Sequence, residues 1–153
     1  MKEILDQLAE LEELHFGEKV QKLNEMKGVY GDLLLDAVKE HVKRQTEYEW
    51  QQLKNIHSKH TAEELVDIQW EHVSRSAGIE FTIENKDDLI QIMTTRCPLA
   101  DMAHELNAAE WGYLYYCSRS PIAVENFSET IGFTRSKTLM KNDEYCNHCY
   151  YNK

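Results

Sequence analysis

No proline occurs before residue 98, and as far as Arg75 the apolar residues recur at helical spacing. Proline is the strongest helix breaker, so nothing interrupts the helical pattern over that stretch. Leu5, Leu8 and Leu11 recur near three-residue spacing, and a second run covers 18–27. Gly28 and Gly31 are the expected breaks. From Leu33 to Ile56 an apolar stripe passes through Leu34, Val38, Val42, Leu53 and Ile56. Thr61-Ala-Glu-Glu64 has the form of a capping box, in which the two side chains satisfy backbone amides at a helix start. It predicts a helix over 62–75.

The chain changes character near Gly78. Ile79, Phe81 and Ile83 alternate with Glu80, Thr82 and Glu84, the period of a half-buried strand. Asn85 to Asp88 reads as a turn, and Leu89 to Thr95 as the returning strand. Pro98 suits the first turn of a short helix, with Cys97 near its N-cap. Helices are expected over 106–117 and from Ser120-Pro121 to near Gly132. Phe133 to Met140 reads as a third strand, Lys141 to Glu144 as a turn, and Tyr145 to Tyr151 as a fourth strand. The expected class is α+β, a helical N-terminal half followed by an antiparallel sheet of about four strands in two hairpins separated by helices. No repeat or long linker divides the sequence, so residues 1–153 are expected to form a single α+β domain.

Composition narrows the partners. Asp and Glu number 27 against 17 Lys and Arg, a formal charge of -10. The acids are spread along the chain, and no basic patch exceeds Val42-Lys-Arg44, so nucleic acid is not an expected partner. No apolar run nears the ~20 residues needed to cross a bilayer, so no membrane partner is expected. The N-terminal MKEILDQLAELEELHF is acidic and amphipathic rather than a signal peptide. Four cysteines are few for a secreted disulfide scaffold, and a cytoplasmic protein is the expectation. A small-molecule substrate is the expected partner, with the acidic helical half as the surface for self-association into a homo-oligomer.

All four cysteines, Cys97, Cys117, Cys146 and Cys149, fall in the second half. A thiol at a helix start meets free amides and the positive end of the helix, which favour a thiolate; Arg96 would add to this if it pointed the same way. The alternative for Cys97 is a small apolar side chain filling a strand–helix corner. Cys146-Asn147-His148-Cys149 contains a CxxC. On a regular strand Cys146, His148 and Tyr150 face one side, while Cys149 and Tyr151 face the other. That geometry argues against a redox pair or a zinc knuckle. It leaves open a zinc or iron site through Cys97, Cys117, Cys146 and His148. His104 lies two turns into the helix after Cys97, about 10 Å away by helical rise. Arg135 and Lys137 share a strand face, and two cations there suit a substrate carboxylate.

From residue 89 onward the chain resembles the L-2-amino-thiazoline-4-carboxylic acid hydrolase family. The likeness runs from Cys97-Pro98, through Cys117, to Ile131-Gly-Phe-Thr-Arg-Ser-Lys-Thr-Leu-Met-Lys-Asn-Asp-Glu-Tyr-Cys146. Lys137, Thr138, Leu139 and Asp143 fit the family's closing hairpin. Asn142 replaces its usual turn glycine, a left-handed position that Asn tolerates. The resemblance implies a cysteine-dependent hydrolase that opens a carbon–nitrogen bond of a small cyclic amidine such as an aminothiazoline carboxylate. The implied catalytic set is Cys97, Cys146, His148 and Cys117. The implied substrate-binding set is Arg135, Lys137, His104 and Asp143. The expectation is a mechanism without metal, with the zinc or iron version as its rival. A wider likeness to small ligand-binding domains of the vinyl-reductase type implies the alternative, a small-molecule or metal-binding sensor without catalysis. A third reading is a plain α+β domain that self-associates.

Overall fold

The computed structural model describes residues 1–153. Three helices come first, α1 (Lys2–Glu10), α2 (Phe16–Tyr30) and α3 (Asp32–Ile56). Gly31, at φ +61°, makes the sharp turn between α2 and α3. Short α4 (Ala62–Val66) begins at Thr61, whose hydroxyl accepts the Glu64 amide at 3.3 Å. The Glu64 carboxylate reaches back to the His60 amide at 3.4 Å, one residue earlier than a strict capping box. The helix then widens into a π-helical stretch, Asp67–Ser74. Gly78, at φ +79°, turns the chain out of it.

Two strands follow, β1 (Glu80–Lys86) and β2 (Leu89–Arg96), paired antiparallel. Then come α5 (Pro98–Glu105) and α6 (Ala109–Gly112), which runs on into a second π-helical stretch, Tyr113–Cys117. The single helix expected over 106–117 starts late because Asn107 adopts φ +52°, which breaks the path from α5. Helix α7 (Arg119–Phe127) and strand β3 (Ile131–Arg135) precede β4 (Cys146–Asn152). All four strands form one antiparallel sheet in the order β1-β2-β4-β3.

The third strand is shorter than its alternation suggests, and its start is earlier. The Asn147 side-chain oxygen accepts the amides of Ser136 and Lys137 at 2.9 and 2.7 Å, and the Asp143 carboxylate accepts that of Thr138 at 2.8 Å. Those amides are lost to the ladder, and Leu139–Lys141 forms a 3-10 turn capped by Thr138. Asn142 closes it at φ +67°, the left-handed conformation its amide tolerates.

The buried residues form two groups. Helices α1, α2 and α3 pack Ile4, Leu8, Leu23, Leu34, Val38 and Val42 against Ala103 and Trp111. The inner face of the sheet packs Ile90, Ile92 and Tyr150 against Trp50, Leu65, Trp70 and Phe127. That face is a grid set by register. Thr94 lies opposite Cys146; Ile92, His148 and Arg135 form the next row; Ile90, Tyr150 and Phe133 form the third. Polarity therefore falls along the face, from the row near Cys97 to an aromatic row.

Candidate functional site

A cavity of about 260 Å3 lies between this inner face and the helices. Leu65, Trp70, Ile79, Leu99, Ala123 and Tyr150 supply apolar wall. Exposed Val73 and Glu49 also line it, which opens it to solvent. Both π-helical stretches border the cavity, Asp67–Ser74 through Gln69, Trp70, Val73 and Ser74, and Tyr113–Cys117 through Tyr116 and Cys117. The wider turn of a π-helix re-aims side chains that an α-helix would direct elsewhere.

Cys97, Cys117 and Cys146 all reach this wall, together with His148 and Arg135. The alternation of β4 holds: Cys146, His148 and Tyr150 are buried, whereas Cys149 and Tyr151 lie on the other face. All four cysteines are free thiols. Cys97 is the N-cap of α5, half-buried, with no side-chain hydrogen bond of its own to the helix. Arg96 does not assist it. Its guanidinium lies 3.8 Å from both Glu80 and Asp101, out at the surface.

Burial sets the charge states of the other groups. It pushes the Cys117 thiol up to about 12, against the pull of Arg135. It also raises the Cys146 thiol, though the Leu139 amide donates to the sulfur at 3.2 Å and opposes the shift. His148 moves the other way. Burial, aided by the Arg135 charge, holds its imidazole down at about 3, so the ring is neutral at ordinary pH. Trp70 meets this ring edge-on at 4.8 Å, and Phe133 lies 5.8 Å away. Arg135 is itself fixed. Its guanidinium donates to the Cys117 carbonyl at 2.9 Å and to the Tyr113 hydroxyl at 3.0 Å.

Three further residues singled out in the sequence lie elsewhere. His104 contacts the Leu139 carbonyl at 2.9 Å and ties α5 to the 3-10 turn. Asp143 caps Thr138. Lys137 lies over the Tyr145 ring at 4.9 Å. Thr94, by contrast, lines the cavity and went unnoticed in the sequence. Its signal was the alternation of β2, which puts it on the same face as Ile90 and Ile92.

The rival possibility raised from the sequence, a zinc or iron site through Cys97, Cys117, Cys146 and His148, is not formed. Nowhere do three or more His, Cys, Asp or Glu side chains gather as a metal site. All four border the cavity, yet they form no group that could hold a metal ion. Cys146 spends its sulfur on the Leu139 amide, and the His148 ring is wedged among aromatic neighbours.

No helix is long and apolar enough to cross a membrane. Comparison with solved structures finds a trafficking protein particle complex subunit 3 from Naegleria fowleri, crystallised covalently bound to palmitic acid. It matches with a TM-score of 0.51 at 13% identity, over 90% of this chain and 92% of that one. At that identity the likeness is one of fold. No curated protein matches by sequence. The sequence profile of the L-2-amino-thiazoline-4-carboxylic acid hydrolase family matches residues 10–150, covering the helical half as well as the segment around the cysteines. With the match spanning both the helices and the cavity-bearing sheet, this chain belongs to that family of hydrolases.

Proposed function

We propose that the protein hydrolyses a small cyclic amidine bearing a carboxylate, such as an aminothiazoline carboxylate, with Cys97 as nucleophile. One observation carries the reading: three thiols, a neutral imidazole and a fixed guanidinium share the wall of one cavity in a chain of this family. Cys117 and Cys146 are held protonated by burial. Cys97 sits instead at the start of α5, where free amides stabilise a developing negative charge.

The Cys97 sulfur adds to the ring amidine carbon, and the adduct collapses by breaking the bond from that carbon to the ring nitrogen. The leaving nitrogen takes a proton, for which the protonated Cys146 thiol is the nearby donor. Water then adds to the same carbon and releases the Cys97 thiolate. The net change is consumption of one water and conversion of the amidine to a carbamoyl group. Arg135, already anchored by the Cys117 carbonyl and Tyr113, holds the substrate carboxylate without first having to be ordered.

The test is ring opening of 2-aminothiazoline-4-carboxylate, followed by release of the free amine. Cys97→Ser is expected to lower kcat at least about a thousandfold. Cys117→Ser is expected to retain activity within about tenfold, since a buried neutral thiol has no part in the attack. Wild-type turnover by Cys97→Ser would reject the assignment.

The apolar wall favours a second reading, a binding domain without catalysis. The palmitic acid held by the fold neighbour makes a fatty acid the natural probe for it. Stoichiometric retention of palmitate, with no amidine turnover, would select that reading.

A further inference from the structure

Two residues of the cavity wall, Thr94 and His148, each hold a buried polar atom with no partner in the protein, Thr94 Oγ1 and His148 Nδ1. Thr94 is 2% exposed and His148 7%, so bulk water does not compensate them. A buried, unpaired hydrogen-bonding atom is costly, and native proteins hold few of them. These two are also neighbours. Thr94 lies opposite Cys146 across β2 and β4, and His148 is the next inward-facing residue after Cys146. Such diagonal positions are roughly 7 Å apart on a sheet, so one small planar group between them reaches both. The third unpaired atom, the Tyr115 hydroxyl, is not on this wall.

The surroundings decide what kind of group fits. The neutral His148 ring offers an acceptor, and a threonine oxygen accepts as readily as it donates. The imidazole packs against Trp70 and Phe133, and its Nδ1 is left without a partner in the protein. Beside it in register, Arg135 supplies only donors. The wall therefore presents two acceptors next to one cation.

We propose that Thr94 Oγ1 and His148 Nδ1 form an acceptor pair that grips the N–H edge of a ring amidine, while the acid group of the same molecule turns to Arg135. The choice of ligand rests on the amidine-hydrolase reading. The pair makes Thr94 and His148 specificity-determining residues. A protonated ring amidine donates from both nitrogens. The corresponding lactam replaces one donor with a carbonyl, which would face an acceptor and be rejected.

The experiment is calorimetric titration of the full-length Cys97→Ser protein, in which ring opening is blocked, with 2-aminothiazoline-4-carboxylate and with 2-oxothiazolidine-4-carboxylate. The amidine is expected to bind at least about tenfold more tightly than the lactam. Adding Thr94→Val or His148→Phe should each weaken the amidine about tenfold and leave the lactam within about twofold. Thr94→Val should at the same time raise the melting temperature of the ligand-free protein, because it removes an unpaired hydroxyl; damaged folding would lower it. Equal affinity for the two probes, no binding of the amidine, or unchanged amidine affinity in both variants would overturn the proposal; the last result would mean that a buried water fills the gap. Turnover by otherwise wild-type protein separates the two readings. Acceptor-dependent binding without ring opening keeps the subsite and removes the hydrolase. Ring opening at wild-type kcat/KM in both variants keeps the hydrolase and removes the subsite.

Discussion

The two buried regions are made of different materials, and the cavity that gathers the candidate site is framed by the rings of one of them. The helical core is mostly aliphatic, with Leu8, Leu23, Leu34, Val38 and Val42 fully buried. Branched aliphatic chains interlock to the density of an organic crystal. The region behind the sheet is built on rings: Trp50 meets Phe127 at 86°, and Trp70 meets Phe81 at 67°. Rigid rings set edge to face hold their spacing and resist collapse. The cavity and the unpaired Thr94 and His148 atoms lie against that second region, while Cys97 and Cys117 reach the cavity from the edge of the helical core. Empty volume and unpaired polar atoms both lower stability, so the tightly packed helical half is what lets the sheet side carry them.

The contrast can be tested from both sides. Leu34→Ala, in the filled core, is expected to cost about 3 kcal/mol, read from the urea midpoint at constant slope. A loss below ~1 kcal/mol would mean that the helical core relaxes around gaps as easily as the sheet side. The second effect is acid sensitivity. His148 is held at about 3 in the folded protein against 6.5 in the unfolded chain. Between those values the unfolded chain binds one more proton, so stability falls as pH drops from 6.5 toward 3. The loss is up to ~1.4 kcal/mol per pH unit, or roughly 2–3 kcal/mol by pH 4.5. Denaturation curves across this range should show a shallower decline in His148→Phe; parallel curves would contradict a neutral buried imidazole.

Gly112→Ala comes next. Alanine improves helix propensity, yet a Cβ there would lie 2.8 Å from the Met140 sulfur and 2.9 Å from the Ala103 methyl. Overpacking is expected to win by ~1–2 kcal/mol, seen as a lower Tm. Smallest is Ala123→Leu on the cavity wall. The added carbons enter empty space, so stability should move by less than ~1 kcal/mol in either direction while amidine binding is lost. A cost as large as that of Gly112→Ala would show that the cavity closes in solution.

Much of the frame was legible along the chain because period and punctuation are local properties. Gly78, the Thr61 cap and the alternation of Ile79 to Ile83 mark elements that form where they are read. The end of β3 was hidden because Asn147, eleven residues beyond Ser136, takes its amide from across the sheet. The break before α6 depends on Asn107 adopting a left-handed conformation that asparagine tolerates but does not require. The inward side of β4 could be worked out from alternation. Gathering Cys97, Cys117 and Cys146 on one wall needed the folded register, and so did the pairing of Thr94 with Cys146. The metal set failed for a related reason: composition brings candidate ligands to one region, but only three-dimensional convergence makes a site.

The π-helical stretch Tyr113–Cys117 carries one more implication. A helix advances by about 100° per residue, so its length sets the direction in which everything downstream points. Removing one residue from this stretch, enough to restore an ordinary helix, would swing Cys117 and the start of α7 around the axis. Ala123 and Ser120 would leave the cavity wall with every side chain chemically intact. Alignments that score this segment by residue identity alone would miss such a change. Here a gap of one position is a larger event than any substitution.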